Sequence, residues 1–177
     1  MIMIHRGFMR FTAALVLGVC SSAALVAQSQ SGVVRIPVPN SDFPISQGVW
    51  VPSGYDTLYL SGTIPPVSNP AAPKGSVQSY GDTQTQTVAV LKRIEQALAS
   101  QKLSLGDVVM MHAFLVGDPA KDGKMDFAGF MAGYSQFFGT KEQPNKPARS
   151  ALQVAALAAP GALIEIEVIA ARPHAGK

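Results

Sequence analysis

A single α+β domain is predicted by three features of this sequence. The length of 177 residues fits one domain with its own hydrophobic core. Two segments, 82–101 and 125–138, repeat apolar residues at helical spacing. Short apolar segments separated by turn-forming residues lie around these two helices. The order ββαβαββ is typical of an α+β sheet with two helices on one face.

The first 27 residues have the pattern of a secretory signal peptide. Arg6 and Arg10 precede an apolar run over 11–20, and small residues follow it. The run is too short for an ordinary membrane-spanning helix. We therefore expect cleavage after Ala24 or Ala27 and a periplasmic or secreted protein. A lipid anchor on Cys20 is the alternative, although Val19 is bulky for the position before a lipidated cysteine.

Removal of this segment changes the charge and the available chemistry. Without Arg6 and Arg10, 12 of the 14 basic residues remain against 11 acidic ones, a net charge of +1. This balance gives no electrostatic reason to expect nucleic acid. Cys20 is the only cysteine. The mature chain therefore has no thiol nucleophile, disulfide or thiolate metal site.

The elements are predicted from local patterns along the mature chain. Asp82 is the expected N-cap of the first helix. Residues 28–42 are expected as an extended lead-in before a domain spanning 43–177, and 65–81 as an exposed loop. The predicted strands are 46–51, 57–61, 107–116, 148–156 and 163–171.

The strand at 107–116 is apolar on both of its faces. Its alternate residues include Met110 and Phe114 on one face, and Met111 and Leu115 on the other. Two helices shield only one face of a small sheet. We therefore expect a second copy of the chain to cover the other face.

Few side chains of the mature chain suggest chemistry. The sequence has no glycine-rich phosphate loop and no metal-ligand spacing. His112 is expected in the core, His174 in a solvated tail, and the aromatic residues of the second helix in the core. Arg149 and Glu165 lie on two otherwise apolar strands. They either line a solvated face or, on a covered sheet, require a partner or ligand.

These residues belong to a longer pattern that resembles the Rid family, the reactive intermediate deaminases also called YjgF. The resemblance covers about residues 43–172, nearly the whole mature domain. The segments that carry it are Pro44-Ile45-Ser46-Gln47, Leu60-Ser61-Gly62-Thr63-Ile64-Pro65, Gln86-Thr87, Leu105-Gly106-Asp107-Val108-Val109, 134–138, Pro147-Ala148-Arg149-Ser150 with Leu152, Ala155 and Leu157, and Ile164-Glu165-Ile166.

The resemblance implies a chorismate-mutase-like fold, a homotrimer with three clefts between subunits, and hydrolysis of 2-imino acids and enamines to 2-keto acids and ammonia. Arg149 would bind the substrate carboxylate, and Glu165 would activate water and protonate the departing amine. Ser61 and Gly62 would lie in the same cleft. No cofactor or metal is implied, because an imine carbon is already electrophilic.

Three positions depart from the family pattern. Ile45 replaces a tyrosine, Met131 an asparagine and Ala151 a cysteine that contributes mainly its backbone. The substrate-binding cleft is therefore expected to be more apolar than usual. The alternative is a trimeric module that binds small carboxylates or acts as a chaperone without useful turnover. Glu165 favours the enzyme, because a second acid does not help to bind an anion.

Overall fold

A six-stranded mixed sheet with two helices forms the fold, as a computed structural model describes it for residues 32–174. The expected signal peptide lies outside the described residues. The sheet order is β1-β2-β5-β4-β6-β3. The α+β class with two helices is confirmed. The elements are β1 Val34–Pro37, β2 Ser46–Trp50, β3 Tyr55–Thr63, α1 Thr83–Ser100, β4 Val108–Val116, α2 Phe127–Tyr134, β5 Ala148–Val154 and β6 Ile164–Pro173.

Strand β1 is an addition to the five predicted strands. It lies in the expected lead-in and pairs antiparallel with β2, which makes it an edge of the sheet. The Arg35 guanidinium donates hydrogen bonds to the carbonyls of Gly106, Val108 and Lys146 at 2.8–2.9 Å. One side chain thus ties the edge strand to the starts of β4 and β5.

The two helices begin at aspartate caps. Asp82 accepts a hydrogen bond from the backbone N–H of Thr85, as predicted, and Asp126 accepts one from Gly129. Helix α2 ends at Tyr134, so its predicted extension to 138 is wrong. The last turn tightens because Phe137 N–H bonds to the carbonyl three residues earlier. Within residues 32–174, neither helix has the length and apolar character needed to cross a membrane.

The two faces of the sheet differ in burial. Met111, Ala113 and Leu115 of β4 are fully buried and pack in one core with α1 and α2. The alternate residues His112 and Phe114 lie on the opposite face and are only half-buried. The helices therefore cover one face, which we call the helix face. The other face, called the open face below, is not covered by any part of the chain from 32 to 174.

Candidate functional site

Arg149 lies on the helix face of the sheet. It is the second residue of β5 and stands level with Met111 of β4 in a parallel pairing. Its Cζ atom is 4.3 Å from the Tyr134 ring centroid and 4.9 Å from that of Phe130. The rings of Phe43 and Phe127 follow at 5.4 and 6.0 Å. We call these four rings the aromatic cage.

The cage partly buries a cation. Arg149 Nη1 is buried, and within residues 32–174 it has neither a hydrogen-bond partner nor a carboxylate in salt-bridge range. Burial lowers the pKa of Arg149, an effect that nearby Tyr134 opposes. Burial also raises the pKa of Tyr134, so this phenol stays neutral at physiological pH. Ring faces stabilise the guanidinium, but only an anion would neutralise it.

Hydrogen bonds fix the backbone around the cage. The Tyr134 hydroxyl donates to the Pro44 carbonyl at 2.7 Å. Ser46 N–H donates to the Pro147 carbonyl at 2.8 Å, and its hydroxyl donates to Lys146 at 2.6 Å. The residues just before Arg149 are therefore hydrogen-bonded to β2. Tyr134, which packs against Arg149, is hydrogen-bonded to the loop that precedes β2.

Glu165 lies on the open face, where it packs against Gly62. It stands level with Phe114 of β4 in an antiparallel pairing. Ser61 and Gly62 occupy the place where the β3–β6 register shifts. A Cβ atom on Gly62 would overlap Glu165 Oε1 and lie 2.7 Å from its carboxyl carbon. The absent side chain at position 62 is therefore what leaves room for the carboxylate.

Arg149 and Glu165 do not meet within one chain. Arg149 is paired with Met111 of β4 and Glu165 with Phe114, so their partners are three positions apart along β4. This offset is about 10 Å along the strands, and two strand spacings add about 10 Å across them. The two side chains also point to opposite faces. If both act at one cleft, they come from two copies of the chain.

The other predicted residues lie in three places, and the structure does not bring Ile45 next to Arg149 or Glu165 in the cavity that it lines. Ala151 shares the strand face of Arg149, and it and Met131 are partly buried against the core. Ile45 lines a small cavity of about 230 Å³ with Arg35 and Asn145. Ser61 lines a different cavity of about 230 Å³ on the open face.

Two features were not predicted from the sequence. His112 is not in the core, because Met111 and Ala113 take the helix face; its side chain is 33% exposed and its Nδ1 lies 2.8 Å from Glu167 Oε1. The aromatic cage was also missed. Its signal was present as the aromatic residues of the second helix, but periodicity could not show that some of these rings surround Arg149.

A metal centre built from the described side chains is not apparent. Within residues 32–174, no three His, Asp or Glu side chains group closely enough to hold an ion.

Comparison with known proteins finds a matching family, similar sequences and similar solved structures. The family described as Endoribonuclease L-PSP matches residues 41–172. A RutC family protein of Saccharolobus solfataricus is 38% identical over 127 residues, which cover 72% of this chain and 86% of that protein. The crystal structure of E. coli TdcF with bound serine is 30% identical with a TM-score of 0.51, covering 81% of this chain and 99% of TdcF. A conserved Rid family protein of Yersinia pestis is 25% identical with a TM-score of 0.58, covering 78% and 98%.

Proposed function

This chain belongs to the Endoribonuclease L-PSP family, which includes the Rid or YjgF proteins, and from this premise we propose that it hydrolyses 2-imino acids and their enamine tautomers to 2-keto acids and ammonia. We further propose that it acts as a homotrimer with its sites in clefts between subunits.

The observation that carries this proposal is the uncompensated cation at Arg149. A guanidinium with one nitrogen buried and without a hydrogen-bond partner, and with no carboxylate in range, is costly unless a ligand supplies the anion. A planar guanidinium binds a carboxylate through two parallel hydrogen bonds. E. coli TdcF was solved with bound serine, a small molecule that carries an α-carboxylate. An imino acid presents the same group next to its reactive carbon.

Glu165 supplies the second part of the reaction. Its carboxylate would take a proton from water as the water oxygen attacks the imine carbon. Glu165 then passes this proton to the nitrogen, the C–N bond of the tetrahedral intermediate breaks as its hydroxyl group becomes the keto oxygen, and a 2-keto acid and ammonia leave. One water is consumed and no electrons are transferred. The placement of Arg149 and Glu165 supports a cleft formed by two chains, since a single chain presents the two groups on opposite faces of its sheet.

The test generates imines from several amino acids with an amino-acid oxidase and follows their loss with and without the protein. Arg149→Ala should lower kcat/KM by about thirtyfold to several thousandfold, since removing one partner of such a pair costs about 2–5 kcal/mol. Arg149→Lys should recover little, because an ammonium cannot form the paired hydrogen bonds. Near-full activity of Arg149→Ala would overturn the role given to this residue.

The same experiment separates the enzyme from a binding module. Glu165→Gln keeps the size of the side chain but cannot accept the proton, so it should bind a 2-keto acid and turn over little. A wild-type protein that binds keto acids and hydrolyses no imine would instead be the trimeric carboxylate-binding module. RNA cleavage, which the family description suggests, is not favoured by the net charge of +1 expected for the mature chain.

We also propose export from the cytoplasm, on the pattern of residues 1–27. An exported deaminase would need an imine source in the same compartment, such as a flavin-dependent amino-acid oxidase or dehydrogenase. Fractionation of cells followed by N-terminal sequencing tests this proposal. The expected mature protein begins after Ala24 or Ala27; a cytoplasmic protein that retains Met1 would contradict it.

A further inference from the structure

The four rings around Arg149 fall into two pairs that differ in exposure. Phe130 and Tyr134 are fully buried and cover the guanidinium from the core. Phe43 is 38% exposed and Phe127 is 37% exposed. The outer pair therefore lies between the cation and the surface of the subunit.

The outer pair forms a flat aromatic surface. The rings of Phe43 and Phe127 are stacked, with centroids 6.4 Å apart and planes inclined by 18°. They come from the loop before β2 and from the first turn of α2. Their separation leaves no room for a third ring between them. A flat group can instead extend the stack on its outer side, within the distances that aromatic pairs prefer.

This surface lies where the side chain of a bound substrate must go. The centroids of both outer rings are within 6.0 Å of Arg149 Cζ. When the guanidinium binds the substrate carboxylate, the substrate's α-carbon lies one bond further out. The substrate's side chain lies beyond that carbon. The side chain then contacts Phe43 and Phe127, because the inner side is filled by Phe130 and Tyr134.

We infer that Phe43 and Phe127 determine specificity and that the preferred substrates are 2-imino acids with aromatic side chains. The inference rests on the proposed function for its reaction but on the aromatic surface for its selectivity. Two stacked rings favour a planar side chain over a branched aliphatic one, because ring–ring contacts contribute beyond the buried area alone.

The test compares kcat/KM for the imines of phenylalanine, leucine and alanine. For the wild type we expect the phenylalanine imine to exceed the alanine imine by about tenfold or more, and the leucine imine by several-fold. Phe43→Leu and Phe127→Leu should each reduce the ratio of kcat/KM for the phenylalanine imine to kcat/KM for the leucine imine at least about threefold. Trp50→Leu is the matched control, since Trp50 is an exposed aromatic residue at the far end of β2.

Binding of the keto-acid products separates failure of this inference from failure of the proposed function. Calorimetry should show phenylpyruvate binding more tightly than pyruvate, with the difference reduced in Phe43→Leu. If no imine is hydrolysed but phenylpyruvate still binds more tightly than pyruvate, the preference for aromatic ligands is supported and the proposed hydrolysis is wrong. Imine hydrolysis at equal rates for phenylalanine and leucine, unchanged in both variants, would overturn the specificity and leave the reaction in place.

Discussion

At the scale of single residues, the proposed chemistry depends on side chains whose surroundings local sequence patterns could not predict. The sequence motifs indicate Arg149, Glu165 and Gly62 as candidate site residues, and their roles stay predictions. The surroundings of Arg149 could not be predicted, because they depend on how α2 lies over β5. Periodicity indicates which side of a helix is apolar, but it does not indicate which charged side chain that side covers. Four aromatic rings around one cation are therefore a result of tertiary packing.

Gly62 provides the sharpest prediction at this scale. Gly62→Ala places a methyl group where Glu165 Oε1 lies, so the carboxylate must move. We expect kcat for imine hydrolysis to fall about 10²-fold, the loss that a small misplacement of a reacting group produces. Binding of a 2-keto acid should change less than kcat, because Arg149 holds the ligand carboxylate whereas the added methyl group displaces Glu165.

The control for this substitution is Gly48→Ala in β2. Its added Cβ would lie 3.7 Å from Ile36 Cδ1, which is an ordinary van der Waals contact. This variant should keep wild-type kcat. Gly62→Ala with unchanged kcat would mean that the position of the Glu165 carboxylate does not limit the reaction.

At the scale of elements, prediction succeeds where the signals are local. The N-cap and length of α1 follow from Asp82 and an apolar repeat on one side of the helix, and the structure places the helix at Thr83–Ser100. The strand β1 escaped prediction because Val34–Pro37 is only 4 residues long and ends at a proline, with a second proline at position 39. Its place in the sheet is stabilised by pairing with β2 and by Arg35 bonds to carbonyls about 70 to 110 residues away.

The cap of α1 gives a prediction about stability and pH. Hydrogen bonds from Thr85, from its side chain and from its backbone, lower the pKa of the Asp82 carboxyl. The folded state therefore favours the ionised form. Asp82→Ala should reduce the free energy of unfolding by about 1 kcal/mol at pH 7. Urea titrations that monitor circular dichroism measure this difference.

The sign of the pH dependence follows from the lowered pKa. The contribution of the charge is present above the ordinary carboxyl pKa, about 4, and is lost as pH falls through the lower folded value. The difference between wild type and Asp82→Ala should therefore shrink in acid. Asp82→Asn, which caps without a charge, should be nearly as stable as wild type at pH 7 and show no such trend. A difference that stays constant down to pH 2 would contradict this account.

At the scale of the whole molecule, the open face is the surface that residues 32–174 of a single chain do not cover. It combines apolar side chains with the His112–Glu167 pair, and Leu152 on β5 is 42% exposed there. The proposed trimer would cover this face with another copy of the chain. The prediction made from the two apolar faces of β4 agrees with this burial.

The assembly can be tested with one charged substitution. Light scattering of the leaderless protein should give the mass of a trimer at micromolar concentration. Leu152→Glu places a charge on the open face and should shift the protein toward monomers, with loss of imine hydrolysis. Ala99→Glu makes a comparable change on the exposed side of α1, where residue 99 is exposed, and should stay trimeric. A monomeric wild type that hydrolyses imines would overturn both the trimer and the shared cleft.

The placement of Arg149 and Glu165 on opposite faces of one sheet has a genetic consequence. Each subunit would contribute Arg149 to the cleft that it shares with one neighbour and Glu165 to the cleft that it shares with the other. Two alleles that each remove one of these residues would then complement each other, because mixed assemblies restore roughly a quarter of the clefts by random assortment. An allele that carries both lesions would rescue neither, and its product would dilute the intact subunits with which it assembles.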